Sequence, residues 1–262
     1  MINEPANELP AADRQSAPEL FDQPLAAPRE QQIEALTAEL DGLLGQPESA
    51  SQRLAMAHIN LRIAGLQLDL DQRQSAATRA RDSVDALIEG GDFEAAATAC
   101  QYVYLACLHE PENALKSIAA IGQAAWLAVT YPVDPQLTAT ILDHIVDETP
   151  DNADGAAVAA ATAHYVADLR SPDNHDGSLQ MFTGNMLARV ARRHSDVRQQ
   201  SDFERWVRQL ELDDPACFLP RLRNVIDVMV QDEWWFDRQA LTRAIDREAA
   251  NNDAVDSEGG QQ

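Results

Sequence analysis

The sequence predicts an all-α protein built from stacked helical hairpins with a C-terminal helical subdomain. Apolar residues recur at three- and four-residue steps through most of residues 30–249, which is typical of amphipathic helices. No segment shows the two-residue alternation, rich in β-branched residues, that is typical of strands. A hydrophobic fraction of 45% over 262 residues is ordinary for a folded protein and excludes a wholly disordered chain.

Five helices are predicted before residue 131. Gly90-Gly91 ends the third of them, since glycine readily adopts the backbone conformation that stops a helix. The fifth is apolar almost all round, which indicates a helix in the middle of the fold. The first helix carries an apolar stripe of Ile33, Leu36, Leu40 and Leu43. The five predicted segments are 30–44, 51–71, 73–88, 92–109 and 113–130.

Six further helices are predicted after residue 131. Asp134-Pro135 supplies an N-cap with proline at the first helical position, and Pro150 ends that helix. The next two segments are 154–170 and 178–194. Ser201 and Glu204 have the spacing of a capping box for a helix bearing Phe203, Trp206, Val207 and Leu210. A helix then starts at either Asp214-Pro215 or Leu219-Pro220, and the last is predicted over 232–249.

The two ends of the chain are predicted to be disordered. Residues 1–29 hold five prolines among polar residues without a helical period, and residues 251–262 form a second polar tail. Leu20-Phe21 with Leu25 is either a short docking motif or a chance apolar group. Between these ends, we expect a helical-hairpin array over 30–172 and a C-terminal helical bundle over 173–250.

The charge of the chain limits its possible partners. Acidic residues number 43 against 20 basic ones, a net charge of −23. Nucleic acids and anionic membranes both attract clustered Lys and Arg, so neither is expected as a partner. The most apolar run, 117–131, is shorter than the roughly 20 residues of a membrane span. Three cysteines without metal spacing, and no recognisable signal peptide, favour a cytoplasmic location.

A three-residue motif of proline, an acidic residue and asparagine recurs between predicted helices. Its copies are Pro111-Glu112-Asn113, Pro150-Asp151-Asn152 and Pro172-Asp173-Asn174. The segment from Gly91 to Ala96, together with the first copy of this motif, resembles helix B of a tetratricopeptide repeat and its closing turn. In that family a small residue, here Ala96, lets two helices approach closely. The resemblance covers at most residues 53–172, and it implies a right-handed stack of helical hairpins with a concave binding face. The spacing between copies of the motif differs from the family's period of about 34 residues.

Two clusters suggest recognition of a partner. Arg189, Arg192, Arg193 and Arg198 form the one basic island in the chain, which would suit an acidic peptide or a phosphate. Arginines in such positions also commonly pair with carboxylates of neighbouring helices. Trp234-Trp235-Phe236 is predicted near the start of the last helix, where the three cannot share one face. Either that helix is sandwiched in the fold, or an aromatic anchor faces solvent.

Catalytic motifs are scarce in the chain. It has no Gly-x-Ser-x-Gly motif and no glycine-rich phosphate loop. The pair His175-Asp176 resembles that of helical metal-dependent phosphohydrolases of the His-Asp type, and the resemblance implies a metal site at His144, His175 and Asp176. That family places its pair on a helix, whereas residues 175–176 fall in a predicted loop.

These observations favour a non-enzymatic helical scaffold or adaptor that binds a protein partner, as an assembly or regulatory factor. No cofactor or metal is expected with this function, and the basic island and the Trp234–Phe236 cluster are its candidate contact residues. The alternative hypothesis is the metal-dependent phosphohydrolase.

Overall fold

A computed structural model describes residues 27–108, 111–171 and 177–259, and within those ranges the chain forms eleven α-helices, one 3-10 turn and no strand. The all-α prediction is confirmed. The helices are α1 (Arg29–Leu44), α2 (Ala50–Asp69), α3 (Arg73–Glu89), α4 (Phe93–Cys107), α5 (Ala114–Thr130), α6 (Pro135–Glu148), α7 (Asp154–Arg170), α8 (Ser178–Ser195), α9 (Gln200–Gln209), α10 (Pro215–Val230) and α11 (Arg238–Gly259), with the 3-10 turn at Pro111–Asn113.

Consecutive helices from α1 to α8 pack against one another, which confirms the stacked-hairpin arrangement. Short connections between them hold neighbouring helices side by side. α2 also contacts α4, and α6 also contacts α8, so alternate helices share a layer. Eleven residues of α5 are buried, as its nearly uniform apolar surface predicts.

α10 folds back over α5 and α7. Two glycines allow the close approach: a Cβ added at Gly122 would lie 2.7 Å from Val230 Cγ2, and one at Gly155 would lie 3.2 Å from Val225 Cγ2. A single cluster of buried residues runs from Ala57 to Val230. The predicted array over 30–172 and the predicted C-terminal bundle over 173–250 both contribute residues to this cluster.

The predicted caps form at α6 and α10, but not at α9. The Asp134 side chain accepts hydrogen bonds from two backbone N–H groups of α6. The Asp214 side chain accepts one from the Ala216 N–H of α10, which selects Pro215 as the start of that helix. The predicted capping box of Ser201 and Glu204 does not form. α9 begins at Gln200 with Gln199 as its N-cap, two residues earlier than that box predicts, and the Gln200 side chain donates to Glu204 instead.

The last helix differs from its prediction at both ends. It begins at Arg238 rather than at residue 232, and the Asp237 side chain accepts a hydrogen bond from the Ala240 N–H in its first turn. It continues to Gly259, where the sequence predicts a tail. The first 26 residues, which include Leu20, Phe21 and Leu25, lie outside the described residues, so both alternatives for this apolar group, a docking motif or a chance group, stay open.

Candidate protein-binding surfaces

Two arginines of the basic island, Arg189 and Arg193, form hydrogen bonds with other parts of the protein. Arg189 donates to Asp143 and, at 3.4 Å, to Asp147, both on α6. Arg193 Nη2 donates to the carbonyl oxygens of Val146, at 2.5 Å, and Thr149, at 3.4 Å. Those carbonyls belong to the C-terminal end of α6, where backbone acceptors lack partners within the helix. Arg189 and Arg193 therefore bind α8 to α6.

The other two arginines line a pocket of about 200 Å³ between α8 and α9, which we name the α8–α9 pocket. Arg192 is exposed and has no hydrogen bond or ion pair within the described ranges. Arg198 Nε contacts Asp196 at 2.9 Å, in an ion pair whose two side chains are each 77% exposed. The remaining lining residues are Ala188, Val197, Gln199, Gln200 and Phe203.

The Trp234–Phe236 cluster lies in the connection between α10 and α11, not on a helix. Gln123, fully buried on α5, holds it in place. The Trp235 N–H donates to Gln123 Oε1 at 2.8 Å, and Gln123 Nε2 donates to the Glu233 carbonyl at 3.2 Å. Gln123 Nε2 also donates to the Ala119 carbonyl within α5, at 3.2 Å. Because loss of the Trp235 bond would deprive the buried Gln123 Oε1 of its donor, the connection is held to α5.

Aromatic contacts complete this attachment. Trp126 of α5 meets Trp234 edge-on, with centroids 6.0 Å apart, and Phe236 at 5.6 Å. The Arg238 guanidinium lies 4.5 Å from the Trp234 ring centroid, and Arg81 of α3 places its guanidinium 4.7 Å from that of Trp235. All three residues of the cluster are half-buried against the protein's own helices.

A third surface was not predicted from the sequence. A groove of about 320 Å³ opens between the C-terminal end of α5, α10 and α11, and we name it the α10–α11 groove. Its polar residues are Thr130, Arg223 and Thr242. Its apolar residues are Trp126, Val129, Leu219, Leu222, Ile226 and Ile245. They come from α10 and α11, which are consecutive, and from α5, which lies far from both in the sequence, so no local motif indicates the groove.

The rim of this groove combines an exposed apolar side chain with an unpaired cation. Leu219 is 37% exposed. Arg223, one helical turn later, is exposed and has no hydrogen bond or ion pair in the part of the chain that the structure describes. Asp227, a further turn along, is held by Arg238. The Arg223 guanidinium is therefore available to an acidic group of a partner.

His144, the first residue of the predicted metal site, packs against Tyr104 with ring centroids 4.8 Å apart. Burial lowers the pKa of His144, and the carboxylates of Asp143, Asp147 and Glu148 oppose that shift more weakly. The described residues contain no group of three His, Cys, Asp or Glu side chains that could hold a metal ion. His175 and Asp176 lie outside the described residues, so the phosphohydrolase alternative remains a prediction.

One Ser-His-Asp grouping appears in the structure, but its hydrogen bonds are structural. Ser195 Oγ lies 2.7 Å from His194 Nδ1, and His194 Nε2 lies 3.1 Å from Asp154 Oδ1. Trp206 Nε1 donates to the same Nδ1 at 3.2 Å, so its single lone pair is already used. Arg221 holds the other Asp154 oxygen at 3.0 Å. The grouping joins α7, α8, α9 and α10, and the Trp206 indole competes with Ser195 for the one acceptor nitrogen of His194.

The cysteines do not add a nucleophile. Cys100 and Cys107 are buried in the core, and burial raises the pKa of Cys100 to about 12. Cys217 at the start of α10 shares a hydrogen bond with Asp214, and that carboxylate raises the Cys217 pKa. Neither environment favours the reactive thiolate.

No helix in the described ranges combines the length and the apolar character needed to cross a membrane. Comparisons with protein-family models, with curated proteins and with solved structures found no match. The surfaces described above are therefore the basis for a functional assignment.

Proposed function

We propose that this protein is a non-enzymatic helical scaffold that binds a partner protein through the α10–α11 groove. The observation that supports this proposal is an open apolar floor beside the protein's own core, with Leu219 at its rim. The polar side-chain groups in the groove are the Arg223 guanidinium, the hydroxyls of Thr130 and Thr242, and the indole N–H of Trp126. They include no carboxylate or imidazole to serve as a general acid or base.

The occupant that fits the groove is an amphipathic helix of the partner with an acidic residue beside its apolar face. Helix-in-groove recognition uses apolar anchors at helical spacing. Here three helices form the walls, and Arg223 supplies a cation for the acidic residue.

The acidic character of the chain as a whole does not prevent this contact. Screening at physiological ionic strength acts over about 8 Å, so local charges dominate in the groove. Asp227, the carboxylate one turn beyond Arg223, is already paired with Arg238. Arg223 therefore offers the partner's acidic residue a nearby cation at the rim of the groove.

The binding free energy of a stable complex favours a helical segment of the partner, rather than a single side chain, as the occupant of the groove. Burying one large apolar side chain contributes about 1.5–3 kcal/mol, whereas a micromolar complex requires about 8 kcal/mol. Several anchors, spread along a helix, are needed to reach that affinity after the cost of association. Binding of this kind suits an assembly or regulatory factor.

Site-specific photo-crosslinking in the cells of origin tests the proposal. A photoreactive residue replaces Leu219 in one variant and Val228 in another, since Val228 is on the same helix, is 72% exposed and lies outside the groove. We expect one discrete protein adduct from position 219, formed through an acidic amphipathic helix, and none from position 228. Equal adducts at both positions, or none at 219, would contradict the proposal.

A further inference from the structure

We infer that the α8–α9 pocket is an oxyanion-binding site that takes the carboxylate or phosphate group of an acidic peptide through Arg192 and Arg198. This site lies apart from the α10–α11 groove, with which it shares no residue. The inference therefore stands on different observations from the proposed function.

The first observation is the unpaired state of Arg192. The chain has 43 acidic residues against 20 basic ones, so carboxylates are plentiful as intramolecular partners. Arg189 and Arg193, on the same helix, both have such partners. Arg192 lines the pocket without a hydrogen bond or ion pair among the described residues. Its five N–H donors are available to a ligand.

The second observation is that Arg198 is held only weakly. Its ion pair with Asp196 links side chains two residues apart, and both are 77% exposed. Exposed ion pairs of this kind stabilise a protein little, because water screens them and both side chains lose freedom. An incoming oxyanion that contacts both guanidinium groups can replace Asp196.

The third observation is the apolar wall behind the two arginines. Val197 is 8% exposed, and Ala188 and Phe203 line the pocket beside it. Such a wall excludes water from one side of a bound anion, which strengthens its charge-assisted hydrogen bonds. The side chains of Gln199 and Gln200 add amide groups at the edge of the pocket.

The volume of the pocket limits what it can hold. At about 200 Å³ it is smaller than the roughly 300–1,000 Å³ typical of sites for small-molecule ligands and cofactors. It suits one anionic group presented by a peptide. Arginine is the side chain best suited to that task, because its planar guanidinium matches both carboxylate and phosphate geometry.

Titration of the full-length protein with defined probes tests this inference. The probes are three fluorescent peptides of one sequence with phosphoserine, glutamate or glutamine at the central position, together with inorganic phosphate as a competitor. We expect saturable anisotropy changes with the phosphoserine or glutamate peptide and none with the glutamine peptide. The stronger of the two responses identifies the oxyanion as phosphate or carboxylate.

Two variants locate the site. Replacing both Arg192 and Arg198 by alanine should weaken binding at least about tenfold, the effect of losing one charge-assisted hydrogen bond. Arg208→Ala is the matched control, because Arg208 is exposed on neighbouring α9 and lies outside the pocket. Thermal unfolding confirms that both proteins are folded. Equal weakening by the control, or no response to either anionic peptide, would overturn the inference.

Discussion

α10 has a closed face and an open face. The closed face packs against α5 and α7, and its largest side chain, Phe218, is 2% exposed and meets the Tyr165 ring edge-on. The open face borders the α10–α11 groove, with Leu219 exposed at the rim and Arg223 unpaired within the described chain. Two adjacent residues of one helix, Phe218 and Leu219, therefore differ in role: the first stabilises the fold, and the second is available to a partner.

The difference depends on what lies opposite each face. Glycine at positions 122 and 155 lets α10 approach α5 and α7 closely, so the closed face leaves no room for another group. α11 stands opposite the open face and supplies Thr242 and Ile245 to the groove without filling it. Stability and recognition are thus divided between two sides of the same helix.

The sharpest test of this division compares alanine at two neighbouring positions. Phe218→Ala should lower the free energy of unfolding by about 3–5 kcal/mol, since it removes a fully packed aromatic ring. Leu219→Ala should lower it by less than about 1 kcal/mol, because that side chain is partly in water already. Urea unfolding followed by circular dichroism measures both. Similar losses for the two variants would remove the distinction between the faces.

A second test uses two helical glycines. Gly122→Ala places a Cβ 2.7 Å from Val230 Cγ2, on a stiff β-branched side chain, and should destabilise the protein by about 1–3 kcal/mol. Gly184→Ala on α8 meets no atom within 4 Å and should stabilise it by up to about 1 kcal/mol through helix propensity. The melting temperatures of the two variants should move in opposite directions. Stabilisation by both would show that α10 does not lie tightly on α5.

The smallest expected effects concern two adjacent arginines of α8, Arg193, which stabilises the fold, and Arg192, which is available to a ligand. Arg193→Ala should cost about 1.5 kcal/mol of stability, because Arg193 bonds the last carbonyls of α6 and is only 21% exposed. Arg192→Ala should change stability by less than about 0.5 kcal/mol. Thermal unfolding at one pH measures the pair. A loss for Arg192→Ala as large as that for Arg193→Ala would place Arg192 among the structural residues.

The periodicity of apolar residues predicted most of the fold, because burial of one helix face dominates its energetics. α7 has the predicted bounds, 154–170, and α1, α3 and α8 lie within one or two residues of theirs. The capping box at Ser201 failed since a helix start depends on which backbone groups find partners in three dimensions. The last helix starts late because Gln123, more than a hundred residues earlier, holds the Trp234–Phe236 connection.

The candidate sites were less predictable for the same reason. The basic island was visible in the sequence, but its division into Arg189 and Arg193, bound to α6, and Arg192 and Arg198, at a pocket, depends on the rotation of α8 against α6. The α10–α11 groove had no sequence signal, since Trp126 and Ile245 meet only after α10 folds back on α5. Leu219 and Arg223, one helical turn apart, form a pattern that fits any helix surface, so the sequence did not indicate a binding site there.

The measurement that tests the central claim most directly is the affinity of the partner captured at Leu219 for three forms of the purified protein. Isothermal titration would compare the wild type with Leu219→Asp and with Val228→Asp, the latter on the same helix outside the groove. Leu219→Asp should weaken binding at least about tenfold, since it removes an apolar contact and places a carboxylate one turn from Arg223, where it competes with the partner's acidic residue. Val228→Asp should bind as the wild type does. Equal affinity for all three forms would contradict the assignment of the α10–α11 groove as the partner-binding site.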